Sequence, residues 1–172
     1  DMREIPPLRN LPTVTSYDPR GVNDVTFFMG SRGCPYKCTY CCNDTLRAVY
    51  PNGKAYYRMK SVDSVIAELK DHLSRGSPGS YLSFYDDVMV ADTAWFEEFA
   101  RRYAAEINRP SFFTGRWELL TERTVPLLKQ LRCLFLLVGV EVGDEELRYG
   151  LLGRHQSSAL MMERAALLRR HG

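Results

Sequence analysis

The sequence has little that would direct it to a membrane or to a polyanion. No stretch of its 172 residues approaches the roughly 20 apolar residues of a membrane-spanning helix. Its 23 basic and 21 acidic residues give a formal net charge of +2, too balanced to indicate nucleic acid or an acidic lipid surface as a partner. Low-complexity tracts and short internal repeats are also missing. We therefore expect a cytoplasmic globular domain.

Cysteine is scarce, and the odd count of five argues against a set of disulfides. Three of the five, Cys34, Cys38 and Cys41, stand on one short loop after the apolar stretch 25–29. Their spacing is C-x-x-x-C-x-aromatic-C, with Tyr40 as the aromatic residue. Three thiolates at this spacing can hold three irons of a four-iron, four-sulfur (4Fe-4S) cluster. Because no fourth cysteine follows at a ferredoxin-like spacing, the last iron would stay open to an outside ligand.

Two other interpretations of these cysteines stay open. A zinc-binding interaction module needs four ligands, and the fourth would have to be Cys42 or one of three distant histidines. Cys42 directly follows Cys41, which is an awkward geometry for two ligands of one zinc ion. An iron–sulfur electron-transfer protein would need Cys42 or Cys133 as its fourth ligand. We expect Cys42 to be a loop neighbour and Cys133 to be a buried apolar thiol.

Strand-like and helix-like segments alternate along the chain after a lead-in over residues 1–20, whose four prolines predict an extended linker. The predicted strands cover residues 25–29, 80–84, 111–114 and 134–140. The predicted helices cover residues 61–73, a segment that begins near Asp92, and residues 121–131 and 157–171. Strands separated by helices of this length imply right-handed crossovers. The fold class is therefore α/β, with a parallel sheet buried on both faces.

Polar residues follow each predicted strand. The cysteine loop follows the first strand, Asp86 and Asp87 follow the second, Arg116 follows the third and Glu141 ends the fourth. In parallel α/β folds the functional groups lie at the carboxyl ends of the strands. We therefore expect these residues to converge on one rim.

The cysteine motif with its preceding Tyr40 resembles the signature of the radical S-adenosylmethionine (SAM) superfamily. The resemblance runs from about Thr26 to Gly172 and implies a partial (β/α) barrel of about four β/α units. Further segments look like those members that often carry a cobalamin-binding domain ahead of the barrel: 57–61, 84–87, Cys133 with 139–143, 152–154, and the proline-rich 5–8.

The resemblance also implies cofactors and a reaction type. In that family the open iron binds the amino and carboxylate groups of SAM, and one electron from the cluster cleaves SAM to methionine and a 5′-deoxyadenosyl radical. The implied cofactors are a 4Fe-4S cluster on Cys34, Cys38 and Cys41, SAM, and cobalamin if the chain follows the cobalamin-carrying members. The implied partners are an external electron donor of the flavodoxin or ferredoxin type and a small-molecule or peptide substrate. Hydrogen abstraction, rearrangement and methyl transfer through cobalamin all stay open.

Roles in SAM binding follow from the same resemblance. Tyr40 would lie against the adenine, and Glu141 would contact the ribose hydroxyls. Asp86 and Asp87 stand where many members have Gly-Gly-Glu, a segment that accepts a hydrogen bond from the SAM amino group. The resemblance does not decide which of the two aspartates takes this role.

Two arginines complete the implied site. Arg154 resembles the arginine that pairs with the SAM carboxylate, for which a guanidinium fork is well suited. A solvated surface arginine is the alternative interpretation of Arg154. Arg116 would reach SAM or the substrate.

The number of repeats predicts that residues 1–172 are part of a longer enzyme. Cores of this family usually have six β/α units, whereas four are predicted here. We expect a partial barrel in which the strand 134–140 lies at an open edge or pairs with another chain, since an unpaired edge is normally covered. The domain assignment is a linker over residues 1–20 and a core over residues 21–172.

Overall fold

The computed structural model describes residues 25–50, 56–75 and 81–172, so the predicted linker over residues 1–20 lies outside the described residues. Within these ranges the strands are β1 (Val25–Phe28), β2 (Ser31–Arg32), β3 (Arg58–Met59), β4 (Tyr81–Phe84), β5 (Ser111–Gly115) and β6 (Cys133–Val138). The helices are α1 (Cys42–Val49), α2 (Val62–Ser74), α3 (Thr93–Glu106), α4 (Val125–Gln130), α5 (Glu145–Gly150) and α6 (Ser158–His171). None of these helices is long and apolar enough to cross a membrane.

The main sheet is parallel, and its strands lie in the order β1, β4, β5, β6. The predicted α/β class with a parallel sheet is therefore confirmed. The short strands β2 and β3 pair antiparallel in a separate ribbon beside the end of β1. Among the described strands β6 pairs only with β5, so this part of the sheet is open and does not close into a barrel.

The core lies between the sheet and the helices α2, α3 and α4. At its centre the ring of Phe84 from β4 stacks on that of Phe113 from β5, with centroids 4.8 Å apart. Phe99 and Tyr103 of α3 meet the Phe84 ring at 5.5 and 6.1 Å. Each such side chain contributes about 1.5–3 kcal/mol on burial. The aromatic side chains Phe96, Phe99 and Tyr103 of α3 therefore belong to the buried core.

Polar caps fix where the long helices begin. Ser61, Asp92 and Ser157 each accept a hydrogen bond from the backbone N–H three residues further on, at 3.0–3.2 Å. These contacts satisfy N–H groups that a helix leaves unpaired at its start. The predicted helix over residues 121–131 is shorter than expected and begins only at α4. The preceding residues form a turn in which the Thr121 N–H donates to Thr124 Oγ1 at 2.9 Å, and Pro126 occupies the first turn of the helix.

Candidate functional site

The cysteine loop lies at the carboxyl edge of the main sheet, between β2 and α1. Cys34 and Cys38 are buried, Cys41 is half-buried, and none of the three forms a disulfide. Cys41 is the N-cap of α1, and its carbonyl accepts a hydrogen bond from the Asp44 N–H at 3.1 Å. The amino end of a helix carries partial positive charge, which stabilises a thiolate placed there.

Two clamps hold the backbone of this loop. From α1, Arg47 Nη2 donates to the carbonyl oxygens of Cys34 and Tyr36, at 2.5 and 2.8 Å. From the far end of the chain, the carbonyl of Leu152 accepts the Thr39 N–H at 3.2 Å. The loop is therefore fixed both by the helix that follows it and by the segment after α5.

A buried arginine contacts one of the cysteine sulfurs. Arg116, which follows β5, donates through Nη1 to Cys38 Sγ at 3.2 Å and through Nη2 to Glu118 Oε1 at 2.7 Å. Its guanidinium lies over the ring of Tyr36, 3.8 Å from the centroid. A cation in this position would offset negative charge on a cluster bound to Cys38. The structure thus places Arg116, predicted to reach SAM or substrate, on a predicted cluster ligand.

The donor set fits an iron–sulfur cluster. Burial raises the pKa of the Cys34 thiol, with partial compensation from the backbone of Tyr36, so coordination to a metal would be what holds it as a thiolate. In the described ranges no three Cys, His, Asp or Glu side chains converge closely enough to hold a single ion. A cubane cluster binds each thiolate at a different corner, so its ligands surround a volume and do not meet at a point.

The two other cysteines lie in different parts of the structure. Cys42 is exposed in the first turn of α1. Cys133 begins β6, at the amino end of the sheet, where burial raises its pKa to about 11. Because the cysteine loop lies at the opposite, carboxyl edge, Cys133 is not placed to be a fourth ligand.

The two adjacent aspartates occupy different environments. Asp86 is buried, and its Oδ2 accepts the Gly30 N–H at 3.2 Å while its Oδ1 accepts the N–H and the hydroxyl of Ser31, both at 2.5 Å. Burial raises the pKa of Asp86, and these three hydrogen bonds oppose the shift. Asp87 is exposed and accepts from Asn43 Nδ2 at 3.1 Å. Asp86 therefore ties β4 to the loop after β1, whereas Asp87 faces outward.

This difference predicts different costs of substitution. Asp86→Ala should lower the free energy of unfolding by about 2–4 kcal/mol, because it leaves buried backbone N–H groups unpaired. Asp87→Ala is the matched control and should change it by less than about 1 kcal/mol. Urea denaturation of the protein without cluster measures both values. Equal destabilisation by the two variants would show that Asp86 is not the tether.

Two of the predicted residues, Tyr40 and Glu141, contact a third, Arg154. The guanidinium is buried, and its Nη1 donates to the Tyr40 hydroxyl at 2.7 Å and to Glu141 Oε1 at 2.9 Å. Its Nη2 donates to the Gly139 carbonyl at 3.2 Å. The alternative of a solvated surface arginine is therefore wrong. Tyr40 and Glu141 are exposed, so this buried cation holds two outward-facing side chains side by side.

Sequence reasoning missed a buried amide that joins two parts of the site. Gln156 is fully buried between the carboxylate of Glu118, which can only accept, and the guanidinium of Arg154, which can only donate. With the amide turned to suit both, its nitrogen donates to Glu118 Oε2 at 2.9 Å, and its oxygen accepts from Arg154 Nε and Nη2 at 3.1 and 3.2 Å. A polar chain thus runs from Cys38 through Arg116 to Arg154.

Asn43 was also missed, and it connects the aspartate side of the site to the cysteine loop. Its Nδ2 donates to Asp87 and, at 3.5 Å, to Cys41 Sγ, while its Oδ1 accepts from the hydroxyl of Tyr56. Asn43 is buried although it lies in a mostly exposed helix. The predicted residues thus contact the loop through separate networks, Asp87 through Asn43 and Cys41, and Glu141 through Arg154 and Tyr40.

Residues 28–172 match the family model of the radical SAM superfamily. A comparison with curated protein sequences gives no significant match.

Solved structures with the same fold include two of TsrM, a radical S-adenosylmethionine methyltransferase from Kitasatospora setae. One, with cobalamin and a 4Fe-4S cluster bound, is 19% identical to this chain with a TM-score of 0.64, and the match covers 86% of this chain. The other, with tryptophan substrate and a SAM analogue bound, is 19% identical with a TM-score of 0.66 and covers 88% of this chain. In both cases the match covers 29% of the TsrM chain.

Proposed function

Because the chain belongs to the radical SAM superfamily, we propose that Cys34, Cys38 and Cys41 bind a 4Fe-4S cluster and that the adjoining rim binds SAM. When bound, the cluster would supply the electron that cleaves SAM. The observation that carries the proposal is the setting of the three sulfurs: two are buried, and Cys38 accepts from the guanidinium of Arg116 at 3.2 Å. A buried cation beside thiolates lowers the cost of the negative charge that they would bring to a cluster.

For the SAM rim we propose the side chains that still have exposed polar or aromatic surface. Tyr40 would stack on the adenine, and Glu141 would accept from the ribose hydroxyls, since both are exposed at the mouth of the loop. Asp87, rather than Asp86, would accept from the SAM amino group. Asp86 has both carboxylate oxygens engaged by Gly30 and Ser31, whereas Asp87 is exposed.

We propose a different role for Arg154, which holds other side chains in place. A guanidinium carries five N–H donors, and Tyr40, Glu141, Gly139 and Gln156 engage all five. A SAM carboxylate could pair with Arg154 Nη1 only by releasing Tyr40 or Glu141. Arg154 therefore sets the positions of these two residues, and a direct contact with SAM requires an exchange of partners.

The chain spans 29% of the TsrM structures that it matches, and at 19% identity the match shows the fold alone. We propose radical SAM chemistry on a small-molecule or peptide substrate, with reduction by a flavodoxin or ferredoxin. Cobalamin-dependent methyl transfer is the second candidate. It is supported by the likeness in fold to a structure with cobalamin bound.

The test is anaerobic reconstitution of the chain with iron and sulfide. We expect a brown protein that binds about four irons and four sulfides, and whose dithionite-reduced electron paramagnetic resonance (EPR) signal changes when SAM is added. Stoichiometric zinc with no uptake of iron would instead indicate a zinc module. A cluster whose EPR signal does not change when SAM is added would indicate an electron-transfer protein.

A further inference from the structure

We propose that Gln156 is a positioning residue that couples the SAM-binding rim to the cluster-binding loop, acting through Arg154 on one side and Glu118 on the other. This inference rests on the proposed function. Gln156 touches neither the three cysteines nor the exposed rim side chains in the described contacts. Its influence would pass through the two charged groups that it bridges.

Gln156 joins two otherwise separate ion pairs. On one side Glu118 pairs with Arg116, which donates to Cys38 Sγ. On the other side Arg154 pairs with Glu141 at 2.9 Å. The amide donates to Glu118 and accepts from Arg154, so each ion pair receives one further hydrogen-bonded partner from the same side chain.

A neutral amide suits the place between Glu118 and Arg154 better than other side chains do. A carboxylate there would accept from Arg154 but would repel Glu118, and an ammonium would do the reverse. Glutamine alone among residues of its size donates and accepts in this direction without adding charge. Since Gln156 is fully buried, no water is at hand to replace the bonds that another side chain would leave unmade.

The contacts with Gln156 also fix the orientation of the Arg154 guanidinium. Its Nε and Nη2 edge faces Gln156, while its Nη1 holds the Tyr40 hydroxyl and the Glu141 carboxylate. A planar guanidinium held on one edge has little freedom to rotate at the other. Without the amide, Arg154 would lose two acceptor contacts and turn to find others, and the rim residues would lose their fixed positions.

Two substitutions separate the two halves of the bridge. Gln156→Met keeps a similar volume but removes both sets of hydrogen bonds. Gln156→Glu keeps an acceptor for Arg154 and places a second carboxylate beside Glu118. Ser111→Ala is the control, because Ser111 is also fully buried but bonds the carbonyl of Leu131 at 2.6 Å, at the amino end of β5.

The measurements are SAM affinity by equilibrium dialysis and the cluster midpoint potential by EPR-monitored titration, both on anaerobically reconstituted chain. Gln156→Met should weaken SAM binding about tenfold. Gln156→Glu should restore SAM affinity to within about threefold of the unaltered chain and lower the midpoint potential, because it adds negative charge near Arg116. Ser111→Ala should lower the thermal midpoint of unfolding while leaving affinity and potential unchanged.

The outcomes also distinguish this inference from the proposed function. If the unaltered chain binds no cluster or no SAM, the proposed function itself fails. If it binds both, unchanged SAM affinity in Gln156→Met would overturn the positioning role. Should Gln156→Met take up no iron, Gln156→Glu decides alone. An unchanged midpoint potential in that variant would overturn the coupling, and a lowered one with retained SAM affinity would support it.

Discussion

Alanine substitution of any one of Cys34, Cys38 and Cys41 should abolish cluster binding. The iron content of the reconstituted protein should fall to less than about a tenth of the unaltered value. A cluster with one open iron has only three protein ligands, so the loss of one leaves two. The side chains that contact the sulfurs are no substitute, because Arg116 and Asn43 are donors toward them. Iron and sulfide analysis with visible absorbance measures the effect.

The other two cysteines provide matched controls. Cys42→Ala and Cys133→Ala should keep the iron content and the SAM-dependent change of the EPR signal. Cys42 is exposed on the first turn of α1, and Cys133 begins β6 at the opposite end of the sheet. Loss of the cluster in either control would make that cysteine a fourth ligand. The chain would then be an electron-transfer protein with no open iron.

The parallel sheet could be predicted because its signal is local and repeated. In the sequence, apolar strand segments alternate with predicted helical segments of ten or more residues that carry one apolar face, and this pattern has few alternatives. The helices α1 and α5 were missed for the converse reason. Each is short and buries only one residue, which is polar: Asn43 in α1 and Arg148 in α5. The bounds of β6 and α4 shifted by a few residues, as the ends of elements commonly do.

The site could be predicted only in outline. Because functional groups in parallel α/β folds lie at the carboxyl ends of the strands, the sequence predicted that Asp86, Arg116 and Glu141 lie at one edge of the sheet. The family resemblance added Tyr40 and Arg154 to the predicted site. What sequence could not show was which polar groups are buried. Asp86 and Asp87 are chemically identical neighbours, yet the tertiary contacts bury one and expose the other.

Gln156 shows the same limit more strongly. Its partners Glu118 and Arg154 come from different segments, and no spacing in the sequence marks a buried amide between them. Gln156 lies in the segment after α5, and its position follows from its tertiary contacts with Glu118 and Arg154. The sequence therefore indicated which polar groups lie near the cysteine loop better than it indicated the groups that hold them in place.

The sharpest test of the loop itself is Gly33→Ala. Gly33 precedes the first cysteine and has φ +76°, a left-handed conformation that costs other residues about 1–2 kcal/mol. A Cβ there would also lie 2.4 Å from the carbonyl oxygen of Tyr56, which is backbone and cannot swing away. Tyr56 is itself buried and bonded to Asn43 through its hydroxyl. The methyl group must therefore displace the backbone on one side of this contact, at Gly33 next to Cys34 or at Tyr56.

We expect Gly33→Ala to lower the free energy of unfolding by about 2–4 kcal/mol and to reduce iron uptake sharply, because the first cysteine loses its place. Gly150→Ala is the matched control: Gly150 ends α5, is exposed, and a Cβ there would meet nothing within 4 Å. That change should be neutral or stabilising by up to about 1 kcal/mol, since alanine favours the helix. Chemical denaturation and iron analysis compare the two variants. If Gly33→Ala took up iron as well as Gly150→Ala does, the left-handed turn before Cys34 would not be required for the cluster.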